Sequence, residues 1–380
     1  MQGWKRSKSA AHTFRSCELR GVREAPVLPE IRMESNPRTT MQQIADKAGV
    51  SRMAVSLALR GSKKVSARTT ARIREVAEEL GYRPNPLISA LMTHLRQTRP
   101  SAQQTTIAYA TAFPTNDEWR KSAHFVRFFE GARRRAEALG YVLEEWWLRP
   151  PGMTEQRISE ILFNRDIHGL LVAPLPIEIG DLHLDWPKLS CATIGYSLRD
   201  TALHRVSNDQ YGSMQLALRE LTRLGYHRIG LVVPREEDLR VEQRWSAAML
   251  AYQSGLAPED RIPLQIANAP FGAEFVEWFR THRPDAVLST SGECLTLLND
   301  LEVRVPKDVG FAHLGITPGE NAAAGVDQRS ELVGSAALDL VDTLLRSNER
   351  GLPILRRSIL ISGVWVPGRT VSERTATRRR

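Results

Sequence analysis

The chain has 380 residues, 42% of them apolar and 25% charged, which is the composition of an ordinary globular protein long enough for two or three hydrophobic cores. Its 52 Lys and Arg exceed its 43 Asp and Glu, a formal net charge of +9 that favours polyanionic over acidic partners. Cys17, Cys191 and Cys294 are odd in number and widely spaced, which argues against a disulfide framework or a zinc ribbon and for a reducing cytoplasm. No run of apolar residues reaches membrane-spanning length, so no membrane association is expected.

The first residues are polar and basic, with Lys5, Arg6, Lys8, Arg15, Arg20, Arg23 and Arg32. Two readings stand for this stretch: a disordered extension over 1–37, or a reading frame that truly starts at Met33. Short capped helices are predicted next. Thr40 caps a helix with Met41, Ile44, Ala45 and Ala48 at helical spacing, and Gly49 ends it in a left-handed turn. Ser51 caps a second helix with Ala54, Val55, Ala58 and Leu59 inward. Ser66 starts a third, whose inner face is Ile73, Val76, Ala77 and Leu80. Asn85 before Pro86 opens a further short segment containing Leu87, Ile88, Leu91 and Met92.

Two helices meeting steeply across a tight turn form a helix-turn-helix, which lays its second helix in the DNA major groove. Residues 44–59 meet that demand: Ala45 is small where the helices touch, Gly49 turns, Val50 plugs the corner, and Arg52, Met53, Ser56 and Leu57 are left on the outer face.

After Pro100 apolar runs alternate with amphipathic helices, the pattern of parallel α/β units. Strands are predicted at 106–112, 142–147, 169–173, 191–194, 229–233, 286–289 and 309–314. Between them lie helices that include 125–139, 213–224, 245–253 and 331–346. No dinucleotide-binding, phosphate-loop or nucleophile-elbow motif occurs, and His94, His124, His168, His183, His204, His227, His282 and His313 show no metal-ligand spacing, so neither an enzyme nor a cofactor is expected.

The block 44–59, then Val65, Ser66 and Thr69, then Leu80 through Asn85, resembles the LacI/GalR family of bacterial repressors. The resemblance implies an all-α helix-turn-helix headpiece (38–84), a hinge helix and linker (85–100), and an α/β, two-lobed, periplasmic-binding-protein-like domain for effector binding and dimerisation (101–370), before a basic tail (371–380). It implies a homodimer on a pseudo-palindromic double-stranded DNA operator in the cytoplasm, at the nucleoid. Arg52, Met53 and Leu57 match the base-reading positions. Thr40, Ser51, Ser56 and Lys64 match backbone contacts, and Leu91 matches a leucine wedged into the minor groove. Arg60 departs from the family's usual asparagine.

The same resemblance places a cleft for a small effector between the lobes, one lobe at roughly 101–196 with 328–353 and the other at 197–327 with 354–370. Arg244 matches the family's cleft arginine and Gln328 a position at a crossover between the lobes. Phe113, Asn116 and Trp119 follow the first strand and are open to two readings, ring-stacking at the cleft or a packed loop. Ser291 with Gly292, and 313–316, stand where the family carries acidic and amide groups for sugar hydroxyls, so a sugar or derivative is one reading and a common hexose is not implied. Repression, activation and effector-independent binding all remain open for such a chain.

Overall fold

The computed structural model describes residues 41–59, 65–80, 82, 105–268, 271–317 and 323–374. The chain divides into two compact units between Arg83 and Pro84. The hinge segment, Leu91, Thr40, Arg60, Lys64 and the 1–37 extension lie outside the described residues, as does the side chain of Ser56.

The first unit holds α1 (Met41–Ala48), α2 (Arg52–Leu59) and α3 (Ala67–Glu79). Two of the sequence-predicted caps form: Ser51 Oγ accepts from the Ala54 amide at 3.2 Å and Ser66 Oγ from the Thr69 amide at 3.1 Å. Gly49 adopts φ +67°, the left-handed conformation that glycine reaches without steric cost. The core is Ile44, Ala45, Ala48, Val55, Ala58, Ile73, Val76 and Ala77, with Val50 and Leu59 packed against it. Half of these buried residues are alanines, so the helices approach closely and little apolar volume carries the unit.

In the second unit two six-stranded sheets define two lobes. The first sheet contains β1 (Thr105–Thr111), β2 (Tyr141–Trp147), β3 (Gly169–Val172), β4 (Ser190–Ile194), β5 (His204–Asn208) and β11 (Ser358–Ile361) in the order β11-β5-β4-β3-β1-β2, all parallel. The second contains β6 (Ile229–Pro234), β7 (Gln265–Ala267), β8 (Ala286–Ser289), β9 (Gly310–His313), β10 (Ala324–Asp327) and β12 (Val364–Val366) in the order β12-β10-β9-β8-β6-β7, parallel except for β12. Apolar cores cover both faces of each sheet, which is why the central strands read as continuous apolar runs.

On the first lobe, α4 (Ala123–Leu139) and α11 (Ser330–Ser347) pack over one face and α5 (Glu155–Asn164) over the other. On the second, α6 (Gln210–Arg223) and α8 (Arg244–Gln253) cover one face, and α9 (Gly272–His282) and α10 (Glu293–Asp300) the other. The short α7 (Arg235–Arg240) leads into α8.

The seven predicted strands form, with ends shifted by a residue or so, but β5, β7, β10, β11 and β12 escaped the sequence reading. That omission moves the lobe boundaries. The chain crosses between lobes after Asn208, after Asp327 and between Ile361 and Val364, not near 196 and 353, because β5 and β11 pair with each other in the first sheet. Cys191 and Cys294 are free and buried in cores of different lobes. Among the described residues no helix is long and apolar enough to cross a membrane.

Candidate functional site: an exposed reading helix and an interlobe cleft

In the first unit, the outer face of α2 begins with exposed Ser51 and Arg52, followed by Met53 at 71% exposure. Leu57 is half-buried, one turn further along and closer to the core. Arg52 supplies five fixed N–H donors, the geometry that a guanine edge accepts, and the partial positive charge at the start of a helix favours phosphate.

In the second unit the carboxyl ends of the strands from both sheets face a cavity of about 610 Å³. Its lining follows strand ends in order: Pro174 after β3, Gly195 and Tyr196 after β4, Asn208 at the end of β5, Pro234 at the end of β6, Thr290 and Ser291 after β8, Gly315 after β9 and Gln328 after β10. This is the place where parallel sheets present free backbone groups and irregular side chains to ligands.

Two crossovers are tied together at its base, where Asn208 Nδ2 donates to the Gln328 carbonyl at 2.6 Å. The Gln328 side chain donates in turn to the Leu314 carbonyl. Phe125, Phe128 and Trp245 supply apolar wall, while Glu236, Glu237 and Arg240 from α7 bring charge. Arg240 pairs with Glu236 at 2.7 Å and also donates to the Leu175 carbonyl of the first lobe. Burial pushes the Glu237 carboxyl above its ordinary range, against the pull of Arg240.

One rim of the cleft is held by two histidines from different lobes. His124 of α4 donates from Nε2 to the Gly315 carbonyl at 3.1 Å, which leaves Nδ1 to accept from the Ser330 hydroxyl at 3.1 Å. His313, at the end of β9, accepts the Gly315 amide at Nδ1 over 3.0 Å. Beside them Arg127 reaches Asp327 at 3.1 Å and Glu331 at 2.7 Å. Burial first, and then the charge of Arg127, lower the His124 pKa; burial and His124 bring His313 down to about 4.

His313 therefore stays neutral in the folded state at pH values where the unfolded chain, with its ordinary histidine near pH 6.5, takes up a proton, and His124 is shifted in the same direction. The folded form then binds fewer protons between pH 6.5 and 4, so its stability is full above that window and falls as pH drops through it. For His313 alone the loss is on the order of 3 kcal/mol by pH 4. The thermal midpoint of the second unit should fall more steeply from pH 6.5 to 4.5 in the natural chain than in a His313→Asn variant; equal slopes would remove His313 from the account.

Of the residues expected at the cleft, Ser291 and Gln328 line it. Arg244, the first residue of α8, lies beside it with its guanidinium 4.3 Å from the ring centre of the lining Tyr196. Phe113, Asn116 and Trp119 are not among the lining residues. Trp119 is 2% exposed and packs on Tyr109 and Phe129, so the packed-loop reading holds for it: a large ring gains more from burial in this aromatic cluster than from a wet cleft. Phe113 sits 6.0 Å from the Phe125 ring and Asn116 is exposed.

The sequence reading missed Tyr196, Asn208, Glu237 and the buried Arg205. The available signal was the β5 segment itself, His204 to Asn208, whose single Val206 hides its strand character. The scattered histidines also looked unrelated in sequence, although the fold brings His124 and His313 to one rim.

Residues 40–85 match the model of the bacterial regulatory proteins of the lacI family. The chain is 24% identical over 296 residues to the HTH-type transcriptional regulator AscG of Escherichia coli (strain K12), covering 74% of this chain and 84% of AscG. It is 25% identical over 264 residues to the HTH-type transcriptional regulator PtxS of Pseudomonas plecoglossicida, covering 68% of this chain and 73% of PtxS. Among solved structures, the transcriptional regulator CelR in complex with cellobiose superposes with a TM-score of 0.51 at 19% identity, over 88% of this chain and 100% of that one. The Lac repressor dimer bound to operator and the anti-inducer ONPF gives 0.51 at 17% identity, over 88% and 99%. These two likenesses carry the fold: a headpiece followed by a two-lobed, periplasmic-binding-protein-like domain. With the helix-turn-helix at 41–59, the lacI-family model over residues 40–85 and relatives named as HTH-type transcriptional regulators aligned along most of the chain, this protein is a DNA-binding transcriptional regulator whose DNA-binding domain is of the lacI type.

Proposed function

We propose that the protein binds a pseudo-palindromic operator as a homodimer and that a small molecule in the interlobe cavity sets its operator affinity. The reading is one of binding without turnover, in the cytoplasm on the nucleoid, with repression as the outcome when the operator overlaps a promoter. Arg52, Met53 and Leu57 read bases, Arg52 through guanine O6 and N7 and the other two through apolar contact such as thymine methyls. Thr40, Ser51, Ser56 and Lys64 hold phosphates, and Leu91 wedges the minor groove.

The observation that carries the effector half is the cavity of about 610 Å³ lined by both lobes. A molecule touching both lobes binds their closed and open arrangements unequally, and that difference is the most it can contribute to switching. A sugar or sugar derivative fits the mixture of aromatic wall and polar strand ends, and one structurally similar regulator is described with cellobiose bound.

Selection of bound duplexes from a random library at near-physiological salt tests the DNA half. A short palindrome with a central pyrimidine-purine step is the expected product; retention without an enriched sequence would overturn the reading. With that operator in hand, Arg52→Ala should lose discrimination at one base pair of each half-site, by about 1–3 kcal/mol or roughly 5- to 150-fold, while Lys64→Ala should weaken every sequence alike and lower the salt slope by about one. Competition assays with single-base operator variants separate the two.

A further inference from the structure

Arg205, on β5 of the first lobe, is 1% exposed, and its Nε and Nη2 find no acceptor among the described residues. Its Nη1 reaches one oxygen of Glu242 at 3.3 Å, and the other oxygen of that carboxylate accepts from Arg244 at 3.1 Å. Both guanidinium groups lie over the Tyr196 ring, Arg205 at 4.6 Å and Arg244 at 4.3 Å from its centre, and Arg244 Nε is likewise buried without an acceptor. Tyr196 lines the cavity, as do Ser207, two residues along β5 on the side of Arg205, and Val241 and Trp245, which flank Glu242 and Arg244 in sequence. Only Tyr196 of the cluster lines the cavity itself; Arg205 from the first lobe and Glu242 and Arg244 from the second stand directly behind it and its lining neighbours, at one end of the cleft.

Two guanidiniums share one carboxylate here, with Arg356 close enough to add to the repulsion. A buried guanidinium with two unsatisfied N–H groups is costly unless an anion completes its fork. Glu242 is a poor permanent partner. It is half exposed, and it and Gln243 have φ of +55° and +57°, a left-handed pair without glycine.

We propose that this end of the cleft receives the oxyanion of a small acidic ligand, a carboxylate or a phosphate, and that Glu242 is the chain's own occupant of that position, displaced on binding. The ligand anion then bridges Arg205 of one lobe and Arg244 of the other, so the group that is recognised is also the group that closes the cleft. This rests on the cavity being the effector site.

The test is thermal shift and calorimetry on the full chain at fixed ionic strength, with probes in matched sets: neutral monosaccharides, the aldonic and uronic acids derived from them, their monophosphates, and inorganic phosphate. Carboxylates or phosphates should raise the midpoint where their neutral parents do not, and whichever series does so identifies the oxyanion. Glu242→Gln should bind that series about tenfold more tightly, since a competing like charge is gone. Arg205→Met should lose it by more than roughly thirtyfold, and Arg244→Met covers the case in which the buried Arg205 variant does not fold. Binding confined to neutral sugars, or an acidic ligand weakened by Glu242→Gln, would overturn the anion subsite and leave the effector reading intact. Failure of every probe to bind or to alter operator affinity would overturn both.

Discussion

Replacing Ile73 with alanine should abolish operator binding while the second unit stays folded. Ile73 is fully buried on α3 and faces Ile44 and Val55 in a core otherwise built largely of alanine. Truncating a buried isoleucine to alanine costs about 2–5 kcal/mol, because the surroundings collapse only partly into the hole. A unit of this size rarely has more than about 3–5 kcal/mol to lose. The substitution therefore removes most of its stability, and with it the geometry that presents Arg52 and Met53. Fluorescence anisotropy with the selected operator should show affinity falling to the non-specific level, and calorimetry should retain the transition of the second unit. Unchanged operator affinity would mean that α3 does not hold α2 in place.

Gly334→Ala should produce the largest loss within the second unit. Here α4 and α11 cross at Gly131 and Gly334, and a methyl group on Gly334 would overlap the Phe128 carbonyl oxygen, as one on Gly131 would overlap that of Glu331. The obstacle in each case is backbone, which has no rotamer to yield, so the helices must move apart. Overpacking costs about 1–3 kcal/mol and more where backbone must shift, against a helix-propensity gain of about 1 kcal/mol for alanine over glycine.

Separation would also stretch the pairs that cross this interface, Arg135 to Asp339 at 2.6 Å and Arg127 to Glu331 at 2.7 Å, and would shift His124 relative to Gly315. With a net cost near the upper end, about 2 kcal/mol, the thermal midpoint of the second unit should fall by roughly 4–8 °C, at about 2–4 °C per kcal/mol for a large domain, with ligand affinity reduced as well. A midpoint that rises would show that the helix pair has slack that the geometry denies.

The headpiece was legible because its determinants are local. A cap such as Ser66 and its partner amide on Thr69 are three residues apart, Gly49 fixes the corner by its own φ, and Ile44, Ala48, Val55 and Leu59 mark inner faces by helical spacing. The same holds for β3, β6 and β8, which are buried on both faces and so appear as unbroken apolar runs. In β5, by contrast, His204, Arg205, Ser207 and Asn208 are polar and still buried, and nothing local distinguishes such a strand from a loop.

By itself, then, the sequence determined the helix-turn-helix, the exposed start of α2 at Arg52 and Met53, the α/β character of the rest and the lacI-type DNA-binding domain. It could do so because capping, turning and amphipathic spacing act over a few residues. Only the tertiary structure decided which strands share a sheet, where the chain crosses between lobes, that Trp119 belongs to a core, and that His124 meets His313 and Arg205 meets Glu242 and Arg244. Those partnerships join segments from different strands and helices, and they depend on the order in which parallel strands assemble. A polar side chain's spacing in sequence carries no record of the partner that the sheet order brings to it.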